Sequence, residues 1–172
     1  MVYDWQPDFE QLVDEHQSMV FSLALRMTGD RGMAEEVAQD VFLELDRHLG
    51  KIESAVHACF WLRRVAVNRS ADALRRRRVR GLHLWTALEE QHGLAEEDRV
   101  SPLGARLEEL LVTLPEAQRA AVILRYQEEL TPEEIAAILD KPVATVKSHL
   151  QRGLKQLRTK AATHLKEYFR GV

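Results

Sequence analysis

The chain has 172 residues, of which 45% are hydrophobic and 30% are charged, and its formal net charge is −3. This length allows one domain or two small ones, and the composition is that of a soluble protein with enough apolar residues for a packed core. There is no run of about 18 apolar residues, so we expect no membrane span, and the acidic N-terminus lacks the order of a signal peptide. The single cysteine, Cys59, excludes an internal disulfide and suits a reducing, cytoplasmic environment.

Apolar residues at helical spacing predict two helices in the first 50 residues. The first runs from about Asp8 to Met27 and the second from about Arg31 to Leu49, and Thr28–Asp30 is suited to end the one and cap the other. The side chains expected inside include Phe9, Leu12, Val13, Val20, Leu23, Met27, Ala34, Val37, Ala38, Val41, Phe42, Leu45 and Leu49.

A third helix is predicted from about Val56 to Val79, and it is rich in arginine. The stretch from Trp61 to Arg80 contains eight arginines and one acid, Asp72. Opened nucleic-acid strands bind where bases stack on aromatic rings and basic side chains follow the backbone, and an asparagine can both donate to and accept from a base edge. The candidate contacts of this kind are Trp61, Arg64, Asn68, Arg75 and Arg76. The alternative is that the tryptophan belongs to the core and the arginines form a solvated face.

A linker over residues 81–104 is predicted to separate a first domain, residues 1–80, from a second, residues 105–172. The linker has poor periodicity and scattered glycines and acids, with one short helical turn expected near Leu84 to Leu88. Two further helices are expected around Leu107 and after Leu114. Because no segment has strand periodicity, the predicted fold class is all-α, with two small helical domains joined by a flexible linker.

The segment from Leu130 to Lys160 has the pattern of a helix-turn-helix. Thr131 and Glu134 form a capping-box pair around a proline suited to the first helical position. The first helix should end before Pro142, because the residue preceding a proline is pushed out of the helical region.

The second helix of this pair is basic and fits the DNA major groove, where its N-terminal residues would meet base edges. Val146, Leu150 and Leu154 are predicted as core. Arg119 and Arg125, one helix earlier, are either phosphate contacts or surface charges. The candidate base or phosphate readers are Lys147, Ser148, Gln151 and Arg152, and the candidate phosphate contacts are Thr145 and Lys155.

Three segments together resemble the extracytoplasmic-function sigma factors, the small initiation subunits of bacterial RNA polymerase. They are MAEEVAQDVFLEL at Met33–Leu45, FWLRRVAVNRSADALRRRRVR at Phe60–Arg80, and LPEAQRAAVILRYQEELTPEEIAAILDKPVATVKSHLQRGLKQLR at Leu114–Arg158. The resemblance implies that the first binds core polymerase, the second melts the −10 element with Asn68 and the loop Lys51–Ala58 holding an unstacked base, and the third binds the −35 element.

The resemblance also implies which residues meet protein partners. Core polymerase would dock on the acidic face of the second helix, at Glu35, Glu36, Gln39 and Asp40, although an acidic helix face is more usually only solvated. An anti-sigma factor is the implied inhibitory partner.

Three positions depart from the family pattern. Asp140 replaces a common glycine, although aspartate tolerates a left-handed turn better than most residues. His149 replaces a common arginine, so we expect one phosphate contact to depend on pH. Gly153 replaces a common alanine and is expected to interrupt the helix at a cost of about 1 kcal/mol.

No enzymatic or metal-binding pattern is present in the sequence. The seven histidines lack the spacing of a zinc enzyme, and there is no phosphate-binding loop or nucleophile elbow. We therefore expect no cofactor and no catalysis. Two other functions remain alternatives, namely a dimeric helix-turn-helix regulator with an N-terminal sensing domain and a pure interaction module such as a decoy protein.

Overall fold

The computed structural model describes residues 8–83 and 102–170, and these fall into two helical units. No strand occurs in either range, which confirms the predicted all-α class. The predicted helical turn near Leu84 to Leu88 lies outside the described residues. No helix in the described ranges is both long enough and apolar enough to cross a membrane.

The first unit contains three α-helices, α1 (Phe9–Thr28), α2 (Arg31–His48) and α3 (Ala55–His83), with a short 3-10 turn at Leu49–Lys51. Local capping sets their ends. The Asp8 side chain accepts from the amide of Glu10 at the start of α1, and Gly29 ends this helix in the left-handed conformation. Helix α3 continues past the predicted boundary at residue 80.

Ser54 caps the start of α3 together with His57. The hydroxyl of Ser54 accepts from the amide of His57 at 3.1 Å, and the amide of Glu53 donates to Nδ1 of His57 at 3.2 Å. Ser54 thus acts as an N-cap, and the imidazole accepts from the amide one position earlier than the N3 side chain of a capping box does. His57 therefore has a structural role at the helix start.

The core of the first unit lies where the three helices pack against one another. Each fully buried Val, Leu or Met side chain in such a core contributes about 1.5–3 kcal/mol relative to leaving it exposed. The fully buried members are Val20, Leu23, Ala24 and Met27 of α1, Ala34, Val41 and Leu45 of α2, and Ala58, Leu62 and Ala66 of α3. Phe42, which was predicted to be inside, is only half-buried.

The second unit contains four helices, α4 (Pro102–Leu111), α5 (Glu116–Tyr126), α6 (Pro132–Leu139) and α7 (Val143–Arg170). Helix α7 packs mainly on α5 and also contacts α6 and α4. The core of the second unit is formed by buried side chains, namely Leu111, Leu114, Ala121, Ile123, Leu124, Ile135, Ile138 and Val146. Helix α4 begins slightly before the predicted domain boundary at residue 105.

Candidate nucleic-acid interface

Helices α6 and α7 form the predicted helix-turn-helix, and local chemistry sets its geometry. The hydroxyl of Thr131 accepts from the amide of Glu134, whose carboxylate accepts from the amide of Thr131 at 2.7 Å, so the predicted capping box is present. Asp140 ends α6 in the left-handed conformation with φ of 52°, as expected for one of the few residue types that tolerate it. The turn to α7 follows directly.

The two faces of α7 differ, although only one of the three residues predicted as core is fully buried. Val146 is fully buried, whereas Leu150 and Leu154 are half-buried. On the outer side Lys147, Gln151, Arg152 and Lys155 are exposed, and Thr145 and Ser148 are half-buried. All six candidate readers therefore lie on one helix, and four of them present exposed side chains.

His149 does not extend freely from this face. The residue is half-buried, and its Nδ1 atom has no hydrogen-bond partner among the described residues. The expectation of a pH-dependent phosphate contact at this position remains a prediction.

Gly153 packs α7 closely onto α5, and the expectation that it interrupts the helix is wrong. Helix α7 is continuous through this residue, which is buried. A Cβ atom at Gly153 would lie 2.9 Å from Cγ2 of Val122. The absence of a side chain therefore permits the close approach of the two helices.

Arg119 is neither a phosphate contact nor a surface charge, the two alternatives that the sequence leaves open. Its side chain is buried, and Nη2 donates to the carbonyl oxygens of Val112 at 2.6 Å and Leu114 at 2.9 Å. It thereby satisfies two backbone acceptors where α4 ends. Arg125 has a comparable contact, with Nη1 donating to the carbonyl oxygen of Leu130 at 2.9 Å.

In the first unit, the candidate strand-binding residues differ in exposure along α3. Arg64, Asn68, Arg75 and Arg76 are exposed. Trp61 is half-buried, and its ring centroid lies 5.6 Å from that of His48 in a tilted arrangement. The indole therefore packs partly against His48 and keeps part of its surface accessible.

Two other arginines of α3 tie this helix to α2, a role that the sequence analysis missed. Nε of Arg69 donates to Oε2 of Glu44 at 2.9 Å, and this hydrogen bond raises the pKa of the guanidinium above its usual value. Nη1 of Arg77 lies 3.3 Å from Oδ2 of Asp30, whose Oδ1 caps α2 by accepting from the amide of Met33 at 2.9 Å. Asp30 thus joins the start of α2 to the C-terminal part of α3.

The four acidic or amide residues predicted to meet polymerase do not share one face of α2. Glu35 is exposed and pairs with Nε of Arg31 at 3.2 Å. Glu36 and Asp40 face a polar cleft of about 480 Å³ whose other wall includes Arg76. Gln39 lies between the two sides. The structure therefore brings the candidate strand contact Arg76 next to the candidate polymerase contacts.

An apolar groove between α1 and α2 was not identified from the sequence. It has a volume of about 720 Å³, and it is lined by Phe9, Val13, Gln17, Ser18, Phe21, Arg31, Glu35, Ala38, Gln39, Phe42 and Leu43. Leu43, which lines this groove, is 58% exposed. Helical periodicity marks the apolar stripe of a helix but not the part of it that is covered, so four of the lining residues, Phe9, Val13, Ala38 and Phe42, were predicted as core.

The environment of His16 in the first unit disfavours the charged form of its imidazole. Its Nε2 atom is buried and has no hydrogen-bond partner in the part of the chain that the structure describes. Burial lowers the pKa of the imidazole; the charge of Glu15 opposes this shift and that of Arg63 adds to it. Within the described ranges, no three His, Cys, Asp or Glu side chains are arranged to hold a metal ion.

Comparisons with known proteins match both units. Residues 12–80 match the family model of sigma-70 region 2, and residues 104–157 match that of sigma-70 region 4. The chain is 34% identical over 170 residues to the ECF RNA polymerase sigma factor SigE of Mycolicibacterium smegmatis, a match that covers 94% of this chain and 64% of SigE. It is 30% identical over 164 residues to the ECF sigma factor SigK of Mycobacterium tuberculosis, covering 89% and 85% of the two chains.

Two solved structures have the same fold. The sigma factor RpoE of Bartonella quintana, solved with the anti-sigma factor NepR, gives a TM-score of 0.76 at 21% identity and covers 88% of this chain and 95% of RpoE. CnrH, solved with the cytosolic domain of CnrY, gives 0.63 at 23% identity and covers 90% and 88%. With both sigma-70 regions present in order and a relative at 30% identity matched over 85% of its length, the chain belongs to the ECF sigma factors of RNA polymerase.

Proposed function

We propose that this chain gives bacterial core RNA polymerase its promoter specificity through three separate surfaces. Helix α2 docks on core polymerase, α3 holds the opened −10 element, and α7 binds the −35 duplex. The observation that carries the proposal is the two-sided character of α7, with Val146 and Gly153 buried against the domain and a row of polar and basic residues outside. This is the construction of a major-groove helix.

The upstream duplex is the natural target of α7. Lys147, Ser148 and Gln151 lie in its second and third turns, where a helix entering the major groove meets base edges. Thr145, Arg152 and Lys155 flank them and are suited to phosphates, which fix the register of the helix on DNA. The segment from Lys141 to Thr163 contains no acid, so its basic side chains attract the DNA backbone.

The opened downstream strand is the proposed target of α3. Asn68 is exposed and can pair with a base edge, and Arg64, Arg75 and Arg76 are exposed along the same helix. Trp61 is half-buried beside His48, and we propose that its accessible part stacks on a base. Opening a duplex costs a few kcal/mol per unstacked base, and such contacts to the extruded bases would offset part of that cost.

Core polymerase is the proposed occupant of the groove between α1 and α2. Phe42 and Leu43 supply apolar area, and Glu35 and Gln39 supply polar groups at its edge. A buried apolar centre with a polar rim is the usual composition of a protein interface. Because Glu36 and Asp40 face the neighbouring cleft, we propose that they contribute to docking mainly through charge.

An anti-sigma factor is the second proposed protein partner. The sigma factor RpoE, which has this fold, is solved in complex with the anti-sigma factor NepR, and CnrH is solved in complex with the cytosolic domain of CnrY. We propose that an inhibitor of this class covers the same groove and thereby excludes polymerase. The proposal gives the chain a binding role in the cytoplasm, where polymerase and promoter DNA are found, with RNA synthesis carried out by the polymerase.

The direct test is a fluorescence anisotropy titration of the labelled full chain with bacterial core polymerase, without DNA. We expect saturable binding, and we expect Leu43→Glu to weaken it at least about tenfold, because a charge would be buried at the centre of the interface. Leu107→Glu places the same charge on an apolar residue of α4 that is 49% exposed, and it should leave binding unchanged. Arg152→Ala should also bind core normally.

Absence of binding by the folded wild-type chain to core from more than one bacterium would contradict the docking proposal. Equal losses for Leu43→Glu and Leu107→Glu would place the docking surface elsewhere. A loss of core binding in Arg152→Ala would mean that the two units have been assigned the wrong roles.

A further inference from the structure

The first turn of α6 and the second turn of α7 bring opposite charges together. Oε1 of Glu133 lies 3.8 Å from Nζ of Lys147, and the two side chains are 63% and 62% exposed. The neighbouring acid, Glu134, is already engaged in the capping box at the start of α6. Since the segment 141–163 contains no acid, Glu133 is a carboxylate that the fold places beside a basic helix.

Stability does not account for this pair. Exposed ion pairs contribute little to folding, because solvent screens them and both side chains lose freedom. Phosphate binding does not account for it either, since a carboxylate close to the lysine ammonium repels a phosphate. The chemistry that remains is that of a paired donor and acceptor, both accessible from outside.

A G·C base pair offers the complement of such a pair in the major groove. Guanine presents two acceptors, N7 and O6, and cytosine presents the N4 amino donor beside them. A lysine ammonium donates to guanine, and a glutamate carboxylate accepts from cytosine N4. The side chains of Lys147 and Glu133 present these two groups side by side, one from each helix of the helix-turn-helix.

We propose that Glu133 and Lys147 together read one G·C base pair of the upstream promoter element, with Lys147 donating to the guanine and Glu133 accepting from the cytosine amino group. The proposal rests on the proposed function, because it takes α7 as the major-groove helix. Glu133 thereby becomes a specificity-determining residue on α6, outside the six candidates on α7.

The test is transcription from a promoter library whose upstream element is fully randomised. Holoenzyme is assembled from core polymerase and the full-length chain, and the transcripts are sequenced through barcodes. We expect one position at which the wild type prefers G·C, and Lys147→Ala and Glu133→Ala should each reduce that preference about tenfold. The double variant should lose no more than either single variant, because the two residues act on one base pair.

Two further variants sharpen the result. Glu133→Gln keeps the shape of the side chain, but its amide can also donate, so it should accept more than one base pair at that position. Glu109→Ala is the matched control, since it removes an exposed carboxylate that pairs with Arg106 at 2.9 Å on α4. This variant should retain the full wild-type preference.

The outcomes distinguish a failure of the proposed function from a failure of the proposed base-pair recognition by Glu133 and Lys147. If the wild type shows no base preference anywhere in the randomised element, both the proposed function and the paired reading are overturned. If Lys147→Ala loses a preference that Glu133→Ala keeps, the paired reading alone is overturned. The same holds if the position that depends on Lys147 prefers a pair other than G·C.

Discussion

Replacing Gly153 with alanine adds a methyl group to the face of α7 that packs on α5. The new Cβ atom would lie 2.9 Å from Cγ2 of Val122 and 3.6 Å from Cβ of Gln118. Val122 is 5% exposed, and a β-branched side chain in a helix has one strongly preferred rotamer, so its methyl group cannot easily move aside. The two helices would have to separate slightly to accept the substitution.

Two effects of opposite sign decide the outcome. Alanine is more favourable than glycine in a helix interior by about 1 kcal/mol. Forcing an extra carbon into a packed core costs about 1–3 kcal/mol. We therefore expect Gly153→Ala to lower the free energy of unfolding of the second unit by about 1 kcal/mol, which is the reverse of the sign that helix propensity alone predicts.

Hydrogen exchange of the amides of α5 and α7 in the full chain measures this change locally. The substitution should increase exchange in both helices. Gly81→Ala is the matched control, because a Cβ at that helical position meets nothing within 4 Å; it should slow exchange around it or leave it unchanged. In a Val122→Ala background the clash is removed, and Gly153→Ala should then be stabilising.

Slower exchange in α5 and α7 of the single variant would refute the reasoning, because it would show that the helices accept the methyl group without cost. A destabilisation that persists at the same size in the Val122→Ala background would also refute it, since the loss would not come from this contact.

Three other substitutions test the description of the two units. Arg119→Ala should destabilise the second unit by about 1–3 kcal/mol, because two backbone carbonyls lose their donor. The dependence of DNA affinity on salt concentration should not change in this variant. A weaker salt dependence would mean that Arg119 contacts a phosphate. Asn68→Ala should reduce open-complex formation, followed by permanganate reactivity, more than duplex binding; equal losses would argue against a role in melting. Burial lowers the pKa of His16 in the folded chain. Below the ordinary pKa of about 6.5, the unfolded chain therefore binds more protons at this site than the folded chain does, and the free energy of unfolding decreases as the pH is lowered. Thermal unfolding between about pH 7.5 and pH 5 should therefore show a loss that His16→Gln reduces, and an unchanged loss in that variant would exclude this histidine as a source.

The features that the sequence predicts correctly depend on residues close together in the chain. The capping box needs only Thr131 and Glu134, three positions apart, and the left-handed end of α6 needs only the tolerance of Asp140 for that conformation. Helical periodicity is equally local, so the helices and the all-α class follow from it. The same holds for the basic outer face of α7.

The features that the sequence does not predict depend on contacts between distant segments. An arginine such as Arg119 usually lies at the surface, and only the folded chain brings it to the carbonyl oxygens where α4 ends. The environment of Gly153 is set by Val122, 31 positions earlier. Phe42 has the spacing of a core residue, yet no described element covers its outer side, and it lines a groove.

The two contacts of the Asp30 carboxylate determine how substitutions at this position would appear in a genetic screen. One of its carboxylate oxygens fixes the first turn of the helix proposed to dock on polymerase, and the other holds Arg77 on the helix proposed to grip the opened strand. A substitution here would loosen both helices together, although Asp30 is not itself one of the proposed contacts. Alleles at this position would therefore combine weak binding to polymerase with poor promoter opening. Only direct binding measurements would distinguish the loss of this contact between the helices from the loss of a binding surface.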